Sequence, residues 1–185
     1  MIDSVKQDNW QQVGDNRLKL IVSAYKRMQS LIDLIEGAED SLHMFYYMFE
    51  DDQIGQTVMN CLINACQRGV TVELMVDSFG SNGTSDGFFR KLENAGAKFA
   101  IFSPRISTSY FVRNHQKIAI ADKKLLLIGG FNIADKYFGQ QNDANNPSGW
   151  KDLGLLLKGP EVVRLIQYYE QLSDWVHLEN GQLRS

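Results

Sequence analysis

The chain has 185 residues, 44% of them hydrophobic and 22% charged, with a formal net charge of −3. This composition fits one globular domain with a sizeable core and excludes an intrinsically disordered chain. The acidic balance argues against nucleic-acid binding by global attraction. No apolar run reaches the roughly 18 to 20 residues that span a bilayer.

The opening MIDSVKQDNW lacks the basic-then-apolar layout of a signal peptide. The expected location is therefore cytoplasmic, or peripheral to an inner membrane. Residues 1–16 are polar and are expected to form a flexible segment, followed by a single domain over 17–178 and a short tail over 179–185.

Apolar residues at Leu20, Ala24, Met28, Leu31 and Ile35 recur at helical spacing, predicting a helix from Leu18 to Ala38 with Gly37 near its end. Ser41 to Phe49, SLHMFYYMF, is apolar on both faces, as a buried central strand would be. A second helix is predicted from Gln53 to Arg68, stopped by Gly69. Cys61 and Cys66 lie inside it without metal-ligand spacing, so they read as structural thiols in a reducing compartment.

A strand from Val70 to Asp77 comes next. The glycine-containing stretch 79–87 lacks the lysine of a phosphate-binding loop and reads as a connector. A short helix (Ser85 to Ala95) and a strand (Lys98 to Ser103) complete a strand–helix alternation typical of a layered α/β domain.

Beyond Pro104 the pattern changes. NHQKIAIA and LLLIGG, separated by Asp122-Lys123-Lys124, predict a β-hairpin. The segment Ile106 to Val112 carries Tyr110 and Phe111, which read as packing beside the hairpin, with lipid contact as the alternative. The polar stretch 139–149 reads as a loop, Asp152 to Lys158 as a strand, and Pro160 to about Val176 as a final helix with proline in its first turn. Between Arg105 and Lys124, the basic residues Arg105, Arg113, Lys117, Lys123 and Lys124 face only Asp122, a local basic patch in an acidic chain.

Chemistry concentrates in His115-Gln116-Lys117, Asp122 and Gly129-Gly130-Phe131-Asn132. Strand alternation sends His115 and Lys117 to one side and Gln116, Ile118 and Ile120 to the other. An imidazole beside an ammonium can attack phosphorus while holding the negative oxygens. Asp122 falls where the hairpin turns. The paired glycines permit close backbone approach to a ligand, and Asn132 offers an amide donor. His43 lies in a predicted buried strand and His177 near the end of the last helix, and both read as structural.

The pattern H-x-K-x4-D followed by G-[GS]-x-N resembles the signature of the phospholipase D superfamily. DDQIGQTVMNCLINACQRGVTVELMVDSFGS, RNHQKIAIADKKLLLIGGFNIADKYFG and GWKDLGLLLKGPEVVRLIQYYEQLSDW are similar to the N-terminal half of bacterial cardiolipin synthases, over roughly residues 17 to 176. The resemblance implies a layered α-β-α fold with a mixed central sheet. It implies phosphoryl transfer through a phosphohistidine, with no metal and no cofactor. By position, His115 becomes the nucleophile or its acid/base partner, and Lys117, Gly130 and Asn132 bind phosphate. Asp122 is the motif carboxylate, more structural than catalytic, and Asp152 becomes the carboxylate that orients His115. Gly130 stands where many members have serine, which removes one hydroxyl contact to phosphate.

Family members place a second motif across the site, and this chain carries one copy. The implied partner is a second half, from the same chain further on or from a homodimer mate. The leading expectation is an enzyme acting on phospholipid, by transfer or hydrolysis, in peripheral contact with a membrane. The alternatives are a homodimeric nuclease or other phosphodiesterase acting on nucleic acid, and a non-catalytic half that only binds phosphate.

Overall fold

The computed structural model describes residues 10–103, 114–138 and 151–181. The stretches that hold Arg105, Arg113, Tyr110 and Phe111, the loop 139–149 and the tail beyond 181 lie outside the described residues, as do residues 1–9.

Strands β1 (Gln11–Val13) and β2 (Asn16–Ile21) open the described chain. The segment expected to be loose up to residue 16 thus enters a sheet at Gln11. The helix expected from Leu18 starts later, as α1 (Ala24–Glu36). Leu18 and Leu20 alternate with Arg17 and Lys19 at period two, and this stretch pairs with Lys158 through Gly154 as a strand. Leu20 falls on the helical spacing only by coincidence.

The next elements match expectation closely: β3 (Ser41–Tyr46), α2 (Gln53–Gln67), β4 (Thr71–Asp77), α3 (Asp86–Asn94) and β5 (Lys98–Phe102). Asp52 caps α2 by accepting from Gly55 N at 2.8 Å, and Gly69, at φ 92°, ends the turn that follows it. Then come the hairpin β6 (Lys117–Ala121) and β7 (Leu125–Gly129), α4 (Asp135–Phe138), β8 (Gly154–Lys158) and α5 (Pro160–Gly181). The last helix runs past residue 178, where the domain was expected to end.

Among the described residues, the eight strands form one sheet in the order β1-β2-β8-β7-β6-β3-β4-β5. β3, β4 and β5 run parallel, while β6, β7, β8, β2 and β1 join antiparallel. The mixed central sheet is therefore as expected. On one face, Leu42, Met44, Leu74 and Ala119 pack with residues of α1 to α4 such as Leu31, Leu62, Phe88 and Tyr137. On the other, Phe45, Met75, Ile118 and Ile120 pack under Ile166 and Tyr169 of α5. A sheet covered on both sides requires strands apolar on both faces, which is why SLHMFY and KIAIA show no polar alternation. The result is a three-layer α-β-α domain. No helix among the described residues is long and apolar enough to cross a membrane.

Candidate active site

The site lies at the carboxyl ends of parallel strands β3 and β4, beside the start of antiparallel β6. Lys117, the first residue of β6, stands opposite Tyr46 of β3. Its ammonium Nζ lies 2.9 Å from His115 Nδ1 and donates to the His115 carbonyl at 2.6 Å. Alternation brings these two groups together as the sequence predicted. Gln116 points the other way and donates from Nε2 to the Tyr168 hydroxyl of α5 at 2.8 Å. His115 is exposed, whereas Lys117 is only 3% exposed.

Tyr47, one residue past β3, covers both groups. Its ring centroid is 4.5 Å from that of His115, and Lys117 Nζ lies 5.2 Å from the ring centre, within range of a cation–π attraction. Tyr47 also forms one wall of a cavity of about 610 Å3, lined further by Phe79, Gly80, Asn82 and Thr84.

The environment tunes both bases. Burial, and then the charge of Lys117, hold the His115 imidazole below its ordinary pKa, while Asp77 pulls the other way. Burial lowers Lys117 to about 8 against the opposing pull of Asp152 and Asp77. At neutral pH the imidazole is neutral and most of Lys117 is protonated. An ammonium only donates, so Nδ1 is the acceptor and the ring proton rests on Nε2.

The other expected site residues sit differently. Asp122 is at the far end of β6, in the turn closed by Lys124 N to Ala121 O at 2.9 Å. Asp122 and Lys123 take φ of 52° and 55°, a left-handed conformation that aspartate tolerates better than most residues. The Asp122 carboxylate accepts from the backbone N–H groups of Glu39, Asp40 and Ser41 at 2.7 to 3.2 Å. Burial pushes this carboxyl up, but those bonds and Lys124 outweigh it and hold the pKa below the usual range. Asp122 pins β3 to the hairpin. The structure does not bring it to His115.

Asp152 stands two residues before β8, and its charge acts on Lys117. Its Oδ1 accepts from Leu153 N at 2.7 Å, and a Cβ added at Gly130 would stand 2.4 Å from the same oxygen. The missing side chain at Gly130 is therefore room for the Asp152 carboxylate, where sequence suggested a backbone open to ligand. No hydrogen bond joins Asp152 to His115 among the described residues. Asp152 is held from behind by Arg27, fully buried, whose NH1 donates to the carbonyls of Asp152 and Val22, each at 2.6 Å, and whose NH2 donates to Tyr137 O at 3.2 Å.

Asn132, 1% exposed, accepts from Met48 N at 3.0 Å and donates to the Tyr137 hydroxyl at 2.8 Å. It ties the end of β3 to α4, and this clamp takes up amide capacity that the sequence reading assigned to phosphate. His43 of β3 packs its ring 5.3 Å from that of Tyr169 in α5, and His177 of α5 lies 3.6 Å from Glu73 of β4.

Asp77, Tyr47 and Arg27 escaped the sequence reading. Asp77 and Tyr47 had one available signal: both stand at the carboxyl end of a strand in a parallel pair, where open α/β sheets place their ligands. Arg27 had none, because a lone arginine on a helix reads as a surface charge.

The family described as "Cardiolipin synthase, PLD-like domain", PLD denoting phospholipase D, matches residues 31–167. A cardiolipin synthase of Clostridium perfringens strain 13 is 34% identical over 180 residues, which is 95% of this chain and 37% of that protein. The chain spans about a third of the length of the curated relatives it matches. Among solved structures, NucT from Helicobacter pylori superposes with a TM-score of 0.69 at 18% identity, covering 86% of this chain and 96% of that one. Phosphatidylserine synthase of Haemophilus influenzae Rd KW20 gives 0.67 at 14% identity, covering 88% of this chain and 37% of that one. The sequence match over most of its length and the shared α-β-α architecture establish that this chain belongs to the cardiolipin synthase, phospholipase D-like domain family.

Proposed function

We propose that this chain is one catalytic half of a phospholipase D-type enzyme that transfers or hydrolyses the phosphodiester of a phospholipid head group. The observation that carries the reading is the ammonium of Lys117, 2.9 Å from an exposed imidazole nitrogen of His115. A nucleophile and an anion clamp stand side by side at an open rim.

In the mechanism, an incoming phosphate draws Lys117 Nζ away from Nδ1. Nδ1 then takes the ring proton, which leaves the Nε2 lone pair to attack phosphorus. The P–N bond forms as the ester P–O bond breaks, and the leaving oxygen departs opposite the attacking nitrogen. It takes its proton from an acid across the phosphate, a position His115 cannot occupy. Water or an acceptor alcohol then cleaves the phosphohistidine, giving its proton to that same group acting as base. Asn132 and Asp122 serve by holding the ends of β3, and Asp152 by its charge beside Lys117.

The second acid comes from another motif-bearing half. The length of the cardiolipin synthase relatives favours a half joined in one longer protein. The 96% coverage of NucT favours a second reading, in which two copies of one short chain complete the site and act as a phosphodiesterase. With a phospholipid substrate the domain works peripherally, at a membrane surface.

The test is to trap the intermediate. The chain, alone and with a motif-bearing mate, is quenched after mixing with radiolabelled phosphatidylglycerol or DNA, and the label is mapped. Lipid-derived phosphate on His115, absent in His115→Ala, supports the proposal. Label from DNA alone selects the nuclease reading, and unchanged turnover in His115→Ala rejects both.

A further inference from the structure

Strand β3 ends at Tyr46, and the next residue, Tyr47, is fixed from both sides. Its backbone N–H donates at 3.1 Å to the carbonyl of Gln116, the residue between His115 and Lys117. Its own carbonyl accepts from Ser81 Oγ at 3.4 Å, and the following N–H, of Met48, donates to Asn132 Oδ1 at 3.0 Å. A Cβ added at Gly80 would overlap the Tyr47 carbonyl and stand 2.9 Å from its ring carbon Cδ1. The connector 79–87 thus supplies, at Gly80, the gap into which Tyr47 fits, and Asn132 holds the backbone one residue beyond it.

So held, the ring meets the reacting groups. Its centroid is 4.5 Å from that of His115, with 53° between the planes, and Lys117 Nζ lies over it at 5.2 Å. The ammonium therefore has the ring face as a third partner, besides His115 Nδ1 at 2.9 Å and the His115 carbonyl at 2.6 Å. Lys117 is almost wholly withdrawn from solvent. A negative ring face attracts a cation most strongly where water is excluded. It also holds the charge without a directional acceptor atom, which leaves the N–H groups able to turn to phosphate oxygens.

We propose that Tyr47 is the positioning residue of the His115–Lys117 pair, its ring face holding the buried ammonium charged and beside the imidazole, ready for phosphate. This rests on the reading of Lys117 as the phosphate clamp and deepens it. Asp77, at the end of β4, and Asp152, before β8, also favour the charge on Lys117. Neither is altered when only the ring is changed.

The test varies the electrostatics of the ring at nearly constant size. Tyr47→Phe, and then phenylalanines bearing one, two and three fluorines at the same position, weaken the negative face step by step, while NMR follows the Lys117 titration. Its midpoint should fall with each fluorine, by about 0.5 pH unit or more over the series. A ring that merely fills space would leave the midpoint where it was, so an unmoved or rising midpoint overturns the proposal. Should the substituted chains fail to fold, the wild-type chain supplies the second measurement. The Lys117 methylene protons next to Nζ should resonate upfield under the Tyr47 ring current, and an ordinary shift there overturns the proposal. Failure of the enzymatic reading looks different. A stepwise fall in a chain that never forms phosphohistidine supports the positioning role and removes the function, whereas trapped phosphohistidine with an unmoved midpoint does the reverse.

Discussion

Replacing Lys117 by methionine removes a buried charge while keeping most of the apolar stem. A lysine held at about 8, against 10.5 when free, corresponds to about 3 kcal/mol of destabilisation of the charged form, at about 1.4 kcal/mol per pKa unit. The folded pKa lies below the unfolded one, so between about 8 and 10.5 the unfolded chain holds more protons. Wild-type stability therefore rises with pH across that window, and the full penalty is present below it. Methionine escapes this penalty but loses the bonds to His115 O and Nδ1, worth about 1 kcal/mol each. Lys117→Met should thus be more stable than wild type by about 1 kcal/mol at pH 6 and less stable by about 2 kcal/mol above pH 10. Urea denaturation of both proteins from pH 6 to pH 10 measures the difference directly. Titrations common to the two chains cancel. A difference that stays constant with pH, or a Lys117→Met chain that is weaker even at pH 6, would refute the argument that Lys117 carries a burial penalty kept for binding.

Nitrogen NMR of His115 should report the Nε2–H form in the free chain and a shift toward Nδ1–H when inorganic phosphate is added; an Nδ1–H form already present in the free chain contradicts the geometry. Asp122→Ala strips three backbone donors of their acceptor and should cost about 1–3 kcal/mol in denaturation while leaving the His115 resonances unmoved. Gly130→Ala would place Cβ 2.4 Å from Asp152 Oδ1, so the carboxylate must move, and the Lys117 midpoint should fall as its negative neighbour withdraws. An unchanged midpoint would show that Asp152 is not held by that gap. Arg27→Met leaves the carbonyls of Val22, Asp152 and Tyr137 without this donor and should cost about 3 kcal/mol or more; a loss under 1 kcal/mol by denaturation would show that water replaces the guanidinium.

Local periodicity carried much of this outcome. The spacing of two fixed which of His115, Gln116 and Lys117 share a side. The apolar runs on both faces of SLHMFY and KIAIA implied a sheet covered twice. Such patterns are legible because each depends on neighbours a few residues away. Leu18 to Ile21 misled for the same reason: a short apolar stretch satisfies helix and strand spacing together, and only the availability of β8 as a partner decides.

What the sequence determined by itself was therefore the order of elements from β3 to the β6–β7 hairpin, the layered class and the pairing of one imidazole with one ammonium. The long-range contacts of the carboxylates around that pair were decided by the tertiary structure. Asp77 meets Asn114 across 37 residues and Arg27 meets Asp152 across 125, distances closed only by the order in which strands assemble. Asn132, Gly130 and Asp152 took their present contacts for the same reason: a buried polar group takes the partner that packing puts within reach, and no motif specifies that partner in advance.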